Sequence, residues 1–465
     1  MLRSLLRALK NPAEEPLPRP EVPVVATQTA SPLEPAHEAA PEDVYQAATR
    51  AEQRGDPGGA TAIFRAHTAA HPDDFLAIAT LGGHLLQLQQ LEPAEEVLLP
   101  ALRRFPDAAP LLFNAGRAAQ MRMRTDEAIR LYRLALAAEP GFAMARFVIS
   151  LQLPLKGEYR ETFLLMRSRN ELSATPSRAW PRDVPYWNGE SLHGKRLLVW
   201  LEWGGLGDEI QFARYLEPLA RDYRPARLVL GCSREGKRLY ARIPGVDEAF
   251  SEAGNVAVDF QIALMDLPII YKTTLDNMLP ARPYLTVPTA EAAPWAARLA
   301  AMHGRKIGLC WSSGFWGQRT RSDKSIPLDL LNRLAEFPEI NFISLQKGPG
   351  REEMPCPGLT IHDFDADLVD LADTAALVEN LDLVISVDTS VAHLAGALGK
   401  PVIMLLKWES GNFWLLQRAD SPWYPTMRIV RQPASGDWKS VADQLFTLLS
   451  GWAWAEPRSA PPPSA

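Results

Sequence analysis

Three cysteines in 465 residues leave little for thiolate chemistry to work with. Cys232, Cys310 and Cys356 stand far apart and no Cys-x-x-Cys pair occurs, so neither a zinc site nor a disulfide framework is indicated. Such scarcity suits a reducing cytoplasm, which is where the chain is expected. No apolar run reaches the roughly 18 residues that a transmembrane helix needs. Positive charge is not in excess either: 49 Lys and Arg face 55 Asp and Glu, a net charge of −6, which gives no reason to expect nucleic acid as a partner. No cluster of His, Cys, Asp and Glu has metal-ligand spacing, so no metal and no resident cofactor is expected. What remains is ordinary globular composition, 47% apolar and 22% charged, in a chain long enough for about three domains.

The first ten residues, MLRSLLRALK, are basic and amphipathic and could make peripheral contact with a membrane surface, but they lack the small-residue cleavage site of a secretory signal. A short solvated helix or frayed end is the favoured reading of them. Residues 1–42 read as a disordered segment and linker, because the Pro-, Ala- and Glu-rich stretch from Asn11 onward cannot bury enough apolar surface to offset ordering entropy. The tail 456–465 reads the same way.

Between 43 and 170 the chain repeats itself. Pro72, Pro106 and Pro140 are 34 positions apart, and so are Ala60, Ala94 and Ala128. Phe64, Leu98 and Tyr132 form a large apolar column, while Ala48, Gly82, Gly116 and Ser150 form a small one. Four columns in one 34-residue register predict stacked helical hairpins. Small residues let the two helices of a hairpin approach, large ones fill the gap to the next repeat, and the prolines stop the second helix. A less regular fourth unit, with Thr162 and Met166 in the expected columns, reads as a cap. The stretch resembles the tetratricopeptide family. These columns specify architecture, and any function of the array would lie on a concave face that binds peptide segments. Asn114, Arg117 and Gln120 are candidates there.

After residue 180 short apolar runs alternate with amphipathic segments. Runs at 196–202, 226–232 and 258–264 predict the strands of a first α/β lobe over 183–289, and runs at 306–311, 340–346, 382–388 and 401–406 those of a second over 290–455. The segment 280–294 reads as the connector. The fold class expected is thus an α-solenoid followed by two Rossmann-like α/β lobes with parallel sheets, whose cleft is a natural ligand site.

Three segments carry chemistry. The first strand runs into Trp203-Gly204-Gly205-Leu206-Gly207-Asp208, and a helix is expected from Asp208 to about Arg221. This is no dinucleotide fingerprint, because Ile210 stands where its third glycine belongs and Asp208 and Glu209 would repel a pyrophosphate. A carboxylate at a cleft mouth suits a proton acceptor, although on the local signal alone a helix cap is the favoured reading of Asp208. The strand ending at Asp388 leads into Thr389-Ser390 and a helix closed by Gly399 and Pro401. Its side-chain oxygens and free helix amides could hold a diphosphate, with His393 in the first turn. Thirdly, Arg321-Ser322-Asp323-Lys324-Ser325-Ile326-Pro327 offers Lys324 as a point charge for phosphate, though a solvated loop lysine is the commoner case.

The order and spacing of Gly207-Asp208, of Asp323 to Pro327 and of Val387-Asp388-Thr389-Ser390-Val391-Ala392-His393-Leu394 resemble the heptosyltransferases, glycosyltransferase family 9-like enzymes of GT-B fold, over about residues 190–450. The resemblance implies that Asp208 is the catalytic base and that Lys324, Asp388, Thr389, Ser390 and His393 hold the nucleotide-sugar. The chain is also similar to bacterial proteins carrying tetratricopeptide repeats before such a domain. The shared features are Gln211-Phe212-Ala213-Arg214-Tyr215, Ser344-Leu345-Gln346-Lys347-Gly348 and Ser421-Pro422-Trp423-Tyr424-Pro425. Here the glycine loop has one extra residue, and Trp311-Ser312-Ser313-Gly314 replaces Trp-Ala-Gly-Asn. By that resemblance Gly205, Gly207, Gln211, Arg214, Ser312, Ser313, Gln346 and Lys347 join the substrate-binding candidates. Trp408, Trp414, Trp423 and Tyr424 could line the cleft, or be core.

The expectation is therefore a metal-independent inverting glycosyltransferase. It would use a nucleotide-sugar and modify a protein, flagellin or another surface protein, or a glycan, with the repeats selecting the acceptor. Repeats joined to a GT-B unit also resemble protein O-glycosyltransferases. Two rivals stand beside this: a non-catalytic scaffold with a degenerate GT-B domain, and a lipopolysaccharide-core glycosyltransferase.

Overall fold

The computed structural model describes residues 43–172, 183–201, 204–251, 256–279, 282–314, 323–409, 413–416 and 418–452. The expected linker 1–42, the tail 456–465, and Glu202, Trp203, Arg321 and Ser322 of the motifs lie outside the described residues. Two compact units emerge. One is made of the described residues that fall within Met1–Trp180, Met265–Asn277 and Gly411–Leu416; the other of those within Pro181–Leu264, Met278–Ser410 and Gln417–Ala465.

The first unit is built on four helical hairpins: α1 (Val44–Gln53) with α2 (Pro57–Ala70), α3 (Phe75–Gln87) with α4 (Leu91–Arg104), α5 (Ala109–Met121) with α6 (Thr125–Ala138), and α7 (Ala143–Gln152) with α8 (Tyr159–Met166). Helices α2, α4 and α6 each end two residues before the repeat proline, as the clash of proline with the residue before it requires. Asp56 and Asp74 cap α2 and α3 by accepting from Gly59 N and Ala77 N.

The small and large columns meet inside one hairpin, which corrects the expectation that the large residue fills the gap to the next repeat. A Cβ on Gly82 would lie 2.4 Å from Leu98 Cδ2, and one on Gly116 would lie 2.6 Å from Tyr132 Cε1. The expected binding candidates turn inward. Asn114 is buried, donating from Nδ2 to Ala79 O (2.7 Å) and accepting from Arg117 Nη1 (3.1 Å), and Gln120 accepts from the Tyr132 hydroxyl (2.8 Å). They brace the array.

Two later segments complete this unit. Asp266 is fully buried and takes Arg169 Nη2 at 2.7 Å on Oδ1 and Arg167 Nε at 3.2 Å on Oδ2. Phe413 stacks on Phe163, with ring centroids 5.9 Å apart and planes at 17°. Gly157, with φ of +81°, sits against Leu275 and Leu415, where a side chain would both strain the backbone and collide.

The second unit holds two parallel sheets. In the first, β1 (Arg196–Trp200), β2 (Arg227–Gly231), β3 (Glu248–Phe250) and β4 (Phe260–Ala263) are ordered β3-β2-β1-β4. Between β1 and β2 lie α9 (Leu206–Ala213) and α10 (Leu216–Tyr223). The helix expected from 208 to 221 thus breaks at Arg214-Tyr215. Pro218 explains the break: it has no N–H for the Arg214 carbonyl, and its ring would collide with that group. Helix α11 (Thr289–Leu299) begins within the stretch expected to be a connector.

The second sheet comprises β5 (Arg305–Cys310), β6 (Ile340–Ser344), β7 (Ile361–Asp363), β8 (Leu383–Val387), β9 (Val402–Leu406) and β10 (Met427–Arg431) in the order β10-β9-β8-β5-β6-β7. Helix α12 (Leu371–Val378) precedes β8, α13 (Ser390–Ala397) lies between β8 and β9, and α14 (Trp438–Ser450) closes the unit. Every residue of β8 and β9 is buried, as expected of parallel strands covered on both faces. Ile307, Ile385 and Ile403 pack with Val441 and Leu445 of α14. The strand order reverses between β5 and β8, and crevices at the carboxyl ends of such strands are where α/β sheets bind ligands.

Candidate active site

Strand β1 delivers the chain to Gly204, whose φ of +104° and 2.8 Å approach to Asp208 Oδ2 (measured from a notional Cβ) leave room for glycine alone. Gly205 caps α9, and its N–H donates to Asp208 Oδ2 at 2.8 Å. Asp208 does therefore brace the first turn of its helix. Its carboxyl group is nonetheless raised above the ordinary carboxylate range, chiefly by burial. The Gly205 N–H and the Lys324 ammonium oppose that shift, and the Asp388 charge adds to it. Asp208, Lys324 and Asp388 thus act on one another's charge.

Asp388 stands just past β8. Its Oδ2 receives Lys324 Nζ at 2.6 Å, and its Oδ1 lies 3.9 Å from His393 Nε2. Lys324 holds its proton more tightly than usual: burial works against the charge, but Asp388, Asp208 and Asp323 outweigh it. His393 is the reverse case, pushed down to about 4, mainly by burial, and so neutral near pH 7. Thr389 caps α13 through Val391 N (3.3 Å) and contacts the Ser386 hydroxyl (3.0 Å), while Ser390 opens the helix half-buried. The two halves meet closely here. A Cβ on Gly207 would stand 2.9 Å from Cδ2 and 3.1 Å from Nε2 of His393.

Other expected residues are in place but turned to different tasks. Gln346 accepts from Ser312 N (2.9 Å) and Trp311 N (3.2 Å) and donates to the carbonyls of Ser312, Lys347 and Pro349. It sets the loop after β5 and has no amide group left over for a ligand. The Ser312 hydroxyl meets Ser325 Oγ at 3.1 Å, and Ser313 N donates to the same oxygen at 2.9 Å. That lattice seats the segment carrying Lys324. Lys347 Nζ is paired with Asp365 (2.6 Å). Gln211, 2% exposed, has an Nε2 without a hydrogen-bond partner among the described residues.

Arg214 requires correction. The sequence suggested a substrate contact, but the side chain is 1% exposed. It donates to the carbonyls of Gln211 (3.0 Å), Leu279 (3.0 Å) and Trp423 (2.7 Å). The rings of Tyr284 and Trp423, each 4.9 Å from Cζ, and of Tyr424, at 5.2 Å, surround it. Burial of a fully bonded guanidinium makes it a strut. Trp423 and Tyr424, 1% exposed, and Trp414, 3% exposed, are core.

Sequence reasoning missed Lys407, which follows β9 and pairs with Asp323 at 2.7 Å, and Arg431, which ends β10. Burial lowers Arg431 to about 10 while the nearby Asp388 opposes the shift. The signal that could have found both is positional, a basic residue at the carboxyl end of a parallel strand. Three cations and three carboxylates therefore gather at one crevice. Such a group can accept a proton from a hydroxyl and neutralise an anionic leaving group.

Residues 367–440 match the model of glycosyltransferase family 9 (heptosyltransferase), a span that includes Asp388 to His393. The chain is 28% identical over 458 residues to the protein FlbA of Caulobacter vibrioides, covering 85% of this chain and 76% of the relative. It is similar at 14% identity and a TM-score of 0.44 to the glycosyl transferase family 9 structure from Veillonella parvula, covering 57% of this chain and 98% of that one. It is similar at 19% identity and a TM-score of 0.25 to MamA from Desulfovibrio magneticus, covering 28% of this chain and 76% of that one. Given the matched span and the crevice it helps to form, the chain carries a glycosyltransferase family 9 domain on its C-terminal side and is a glycosyltransferase.

Proposed function

We propose that the chain moves a sugar from a nucleotide-sugar to a protein acceptor by direct displacement at the anomeric carbon, with inversion and without a metal ion. The observation that carries this reading is the mutual influence of Asp208, Lys324 and Asp388 at the carboxyl ends of the strands. Asp208 takes the proton of the acceptor hydroxyl, whose oxygen attacks the anomeric carbon. The bond from that carbon to the diphosphate oxygen breaks, and the leaving diphosphate keeps the electron pair. Lys324, the amides at the start of α13 and the imidazole of His393 meet the charge that develops there, so cationic side chains and backbone dipoles take the part a metal has elsewhere. A carboxyl group raised by burial is the better base for this step.

The helical repeats support a protein acceptor, since such arrays present extended surfaces to peptide segments. Nucleotide-sugars and reduced thiols both favour a cytoplasmic site of action. Among the described residues no helix is long and apolar enough to cross a membrane.

The test is incubation of the full chain with a panel of nucleoside-diphosphate sugars, with released nucleotide and added protein mass read by mass spectrometry. Asp208→Ala is expected to lower turnover by about 100-fold or more while nucleotide binding persists. Unchanged turnover in that variant would remove Asp208 from the reaction, and turnover abolished by a chelator would remove the metal-independent step.

A further inference from the structure

His393 is hydrogen-bonded at one ring nitrogen and faces a carboxylate across 3.9 Å at the other, and the two contacts call for one tautomer. On one side Nδ1 lies 2.9 Å from the Tyr424 hydroxyl. On the other, Nε2 lies 3.9 Å from Asp388 Oδ1 and beneath Gly207. The Tyr284 hydroxyl, 2.9 Å from Ile210 O, gives its single proton to that carbonyl, because a carbonyl can only accept. Among the described residues the Tyr424 proton then has a bare Nδ1 at 2.9 Å and the Tyr284 oxygen at 3.5 Å as acceptors. The shorter contact is the better bond. It leaves Nδ1 without a proton and puts the imidazole proton on Nε2, where the carboxylate of Asp388 favours an N–H over a lone pair.

Arg214 is what biases this choice. Its guanidinium is locked by three carbonyls and stands 5.2 Å from the Tyr424 ring. A fixed cation there strengthens the phenol as a donor and disfavours a second proton on the imidazole. We propose that Arg214 is a positioning residue which, through Tyr424, fixes His393 as the Nε2–H tautomer, so that the imidazole meets the leaving group as a neutral hydrogen-bond donor. The last clause rests on the transfer reading above; the tautomer does not.

The groups that face the ring come from every element around it. They are Asp388 from the end of β8, Lys324 from the segment before Ile326, Asp208 from α9, Arg214 just past the end of α9, and Tyr424. Lys324 and Arg214 push His393 toward neutrality, in line with burial, and Asp388 opposes them.

The experiment is long-range proton–nitrogen NMR on the full chain labelled at histidine, with the His393 signals assigned by subtraction in His393→Gln. The wild-type protein should show Nε2–H with no titration from about pH 5.5 to about pH 8. Tyr424→Phe, which removes the hydroxyl bonded to Nδ1 and keeps the ring, should shift the Nδ1 resonance by loss of that hydrogen bond while Asp388 keeps the proton on Nε2. Arg214→Met, which lets the Tyr424 hydroxyl turn to the Tyr284 oxygen and accept from the ring, should bring in the Nδ1–H form and move the titration toward the ordinary imidazole range near 6.5. Arg214→Lys, which keeps the cation, should retain Nε2–H. An Nδ1–H wild type, an unchanged tautomer in folded Arg214→Met, or an unchanged Nδ1 resonance in folded Tyr424→Phe, would overturn the proposal. No substrate is needed, so a protein that transfers no sugar would overturn the transfer reading and leave the tautomer result standing. Where transfer is measured, Tyr424→Phe should lower kcat about tenfold with KM little changed.

Discussion

Gly207 of α9 and His393 of α13 touch across the crevice, with the site of a Cβ on Gly207 only 3.1 Å from the imidazole Nε2. Gly207 lies inside a helix with no positive φ, so its glycine is required by the neighbour and not by the backbone. Gly207→Ala should therefore lower thermal stability, since forcing the buried His393 ring aside costs about 1–3 kcal/mol, more than the helix gain of at most about 1 kcal/mol that alanine brings. It should lower sugar transfer at least about tenfold by displacing His393, a shift of roughly 1.4 kcal/mol in the barrier. A variant with both stability and transfer at wild-type levels would show that this contact has no part in the reaction.

Asp208→Asn should separate stability from activity. A carboxyl group raised in the folded state binds more protons there than in the unfolded chain, so stability falls as pH rises from the ordinary carboxylate value near 3.9 through the folded one. Above the folded value that loss is complete, and the uncharged asparagine avoids it while still accepting from Gly205 N–H. The melting temperature of the variant should exceed that of the wild type at neutral pH, the gap should close on acidification, and turnover should be lost. A variant less stable by the same margin at every pH would contradict the burial argument.

Lys324→Gln should move the acid limb of the pH–rate profile upward. Lys324 is the principal charge lowering Asp208, so its removal raises that carboxyl further and the base becomes available only at higher pH. Asp388 also loses its 2.6 Å partner, and donor affinity should drop with it. Measuring kcat/KM against pH decides; an acid limb that stays where it was would mean that the two residues do not communicate.

In the helical unit, Arg169→Ala strands the fully buried Asp266, and losing one partner of such a pair costs up to about 3–5 kcal/mol. Arg167 keeps part of the interaction, so the loss should fall in the lower half of that range. Denaturant unfolding checks it, and Arg169→Ala with Asp266→Asn should recover part. A loss below about 1 kcal/mol in the single variant would rule the pair out as a main tie. The same geometry predicts that deleting residues 43–170 is no clean test of acceptor choice, since Asp266 and Phe413 would lose their partners.

What could be read along the chain is what depends on short spans of it. The 34-residue register, the proline stops, the alternation of strands and helices, and the segment Asp388 to His393 each lie within one element or one hairpin, where period and capping chemistry act. The three-residue strands β3 and β7 went unread because a run so short carries no alternation, and α9 was read too long because the effect of Pro218 on Arg214 was overlooked. The meeting of Asp208, Lys324 and Asp388 followed only by resemblance.

By itself, then, the sequence determined the helical repeats, the two α/β lobes and the residue types able to move a proton and hold an anion, because local periodicity and turn chemistry suffice for these. Tertiary structure alone decided which of those residues share a crevice and which are struts. Lys324 finds Asp388 64 positions away, and Arg214 finds Trp423 209 positions away. A buried cation in three carbonyls and a half-buried one on a carboxylate look alike in sequence, and only the packing around each decides whether its charge is turned to the protein or to a ligand.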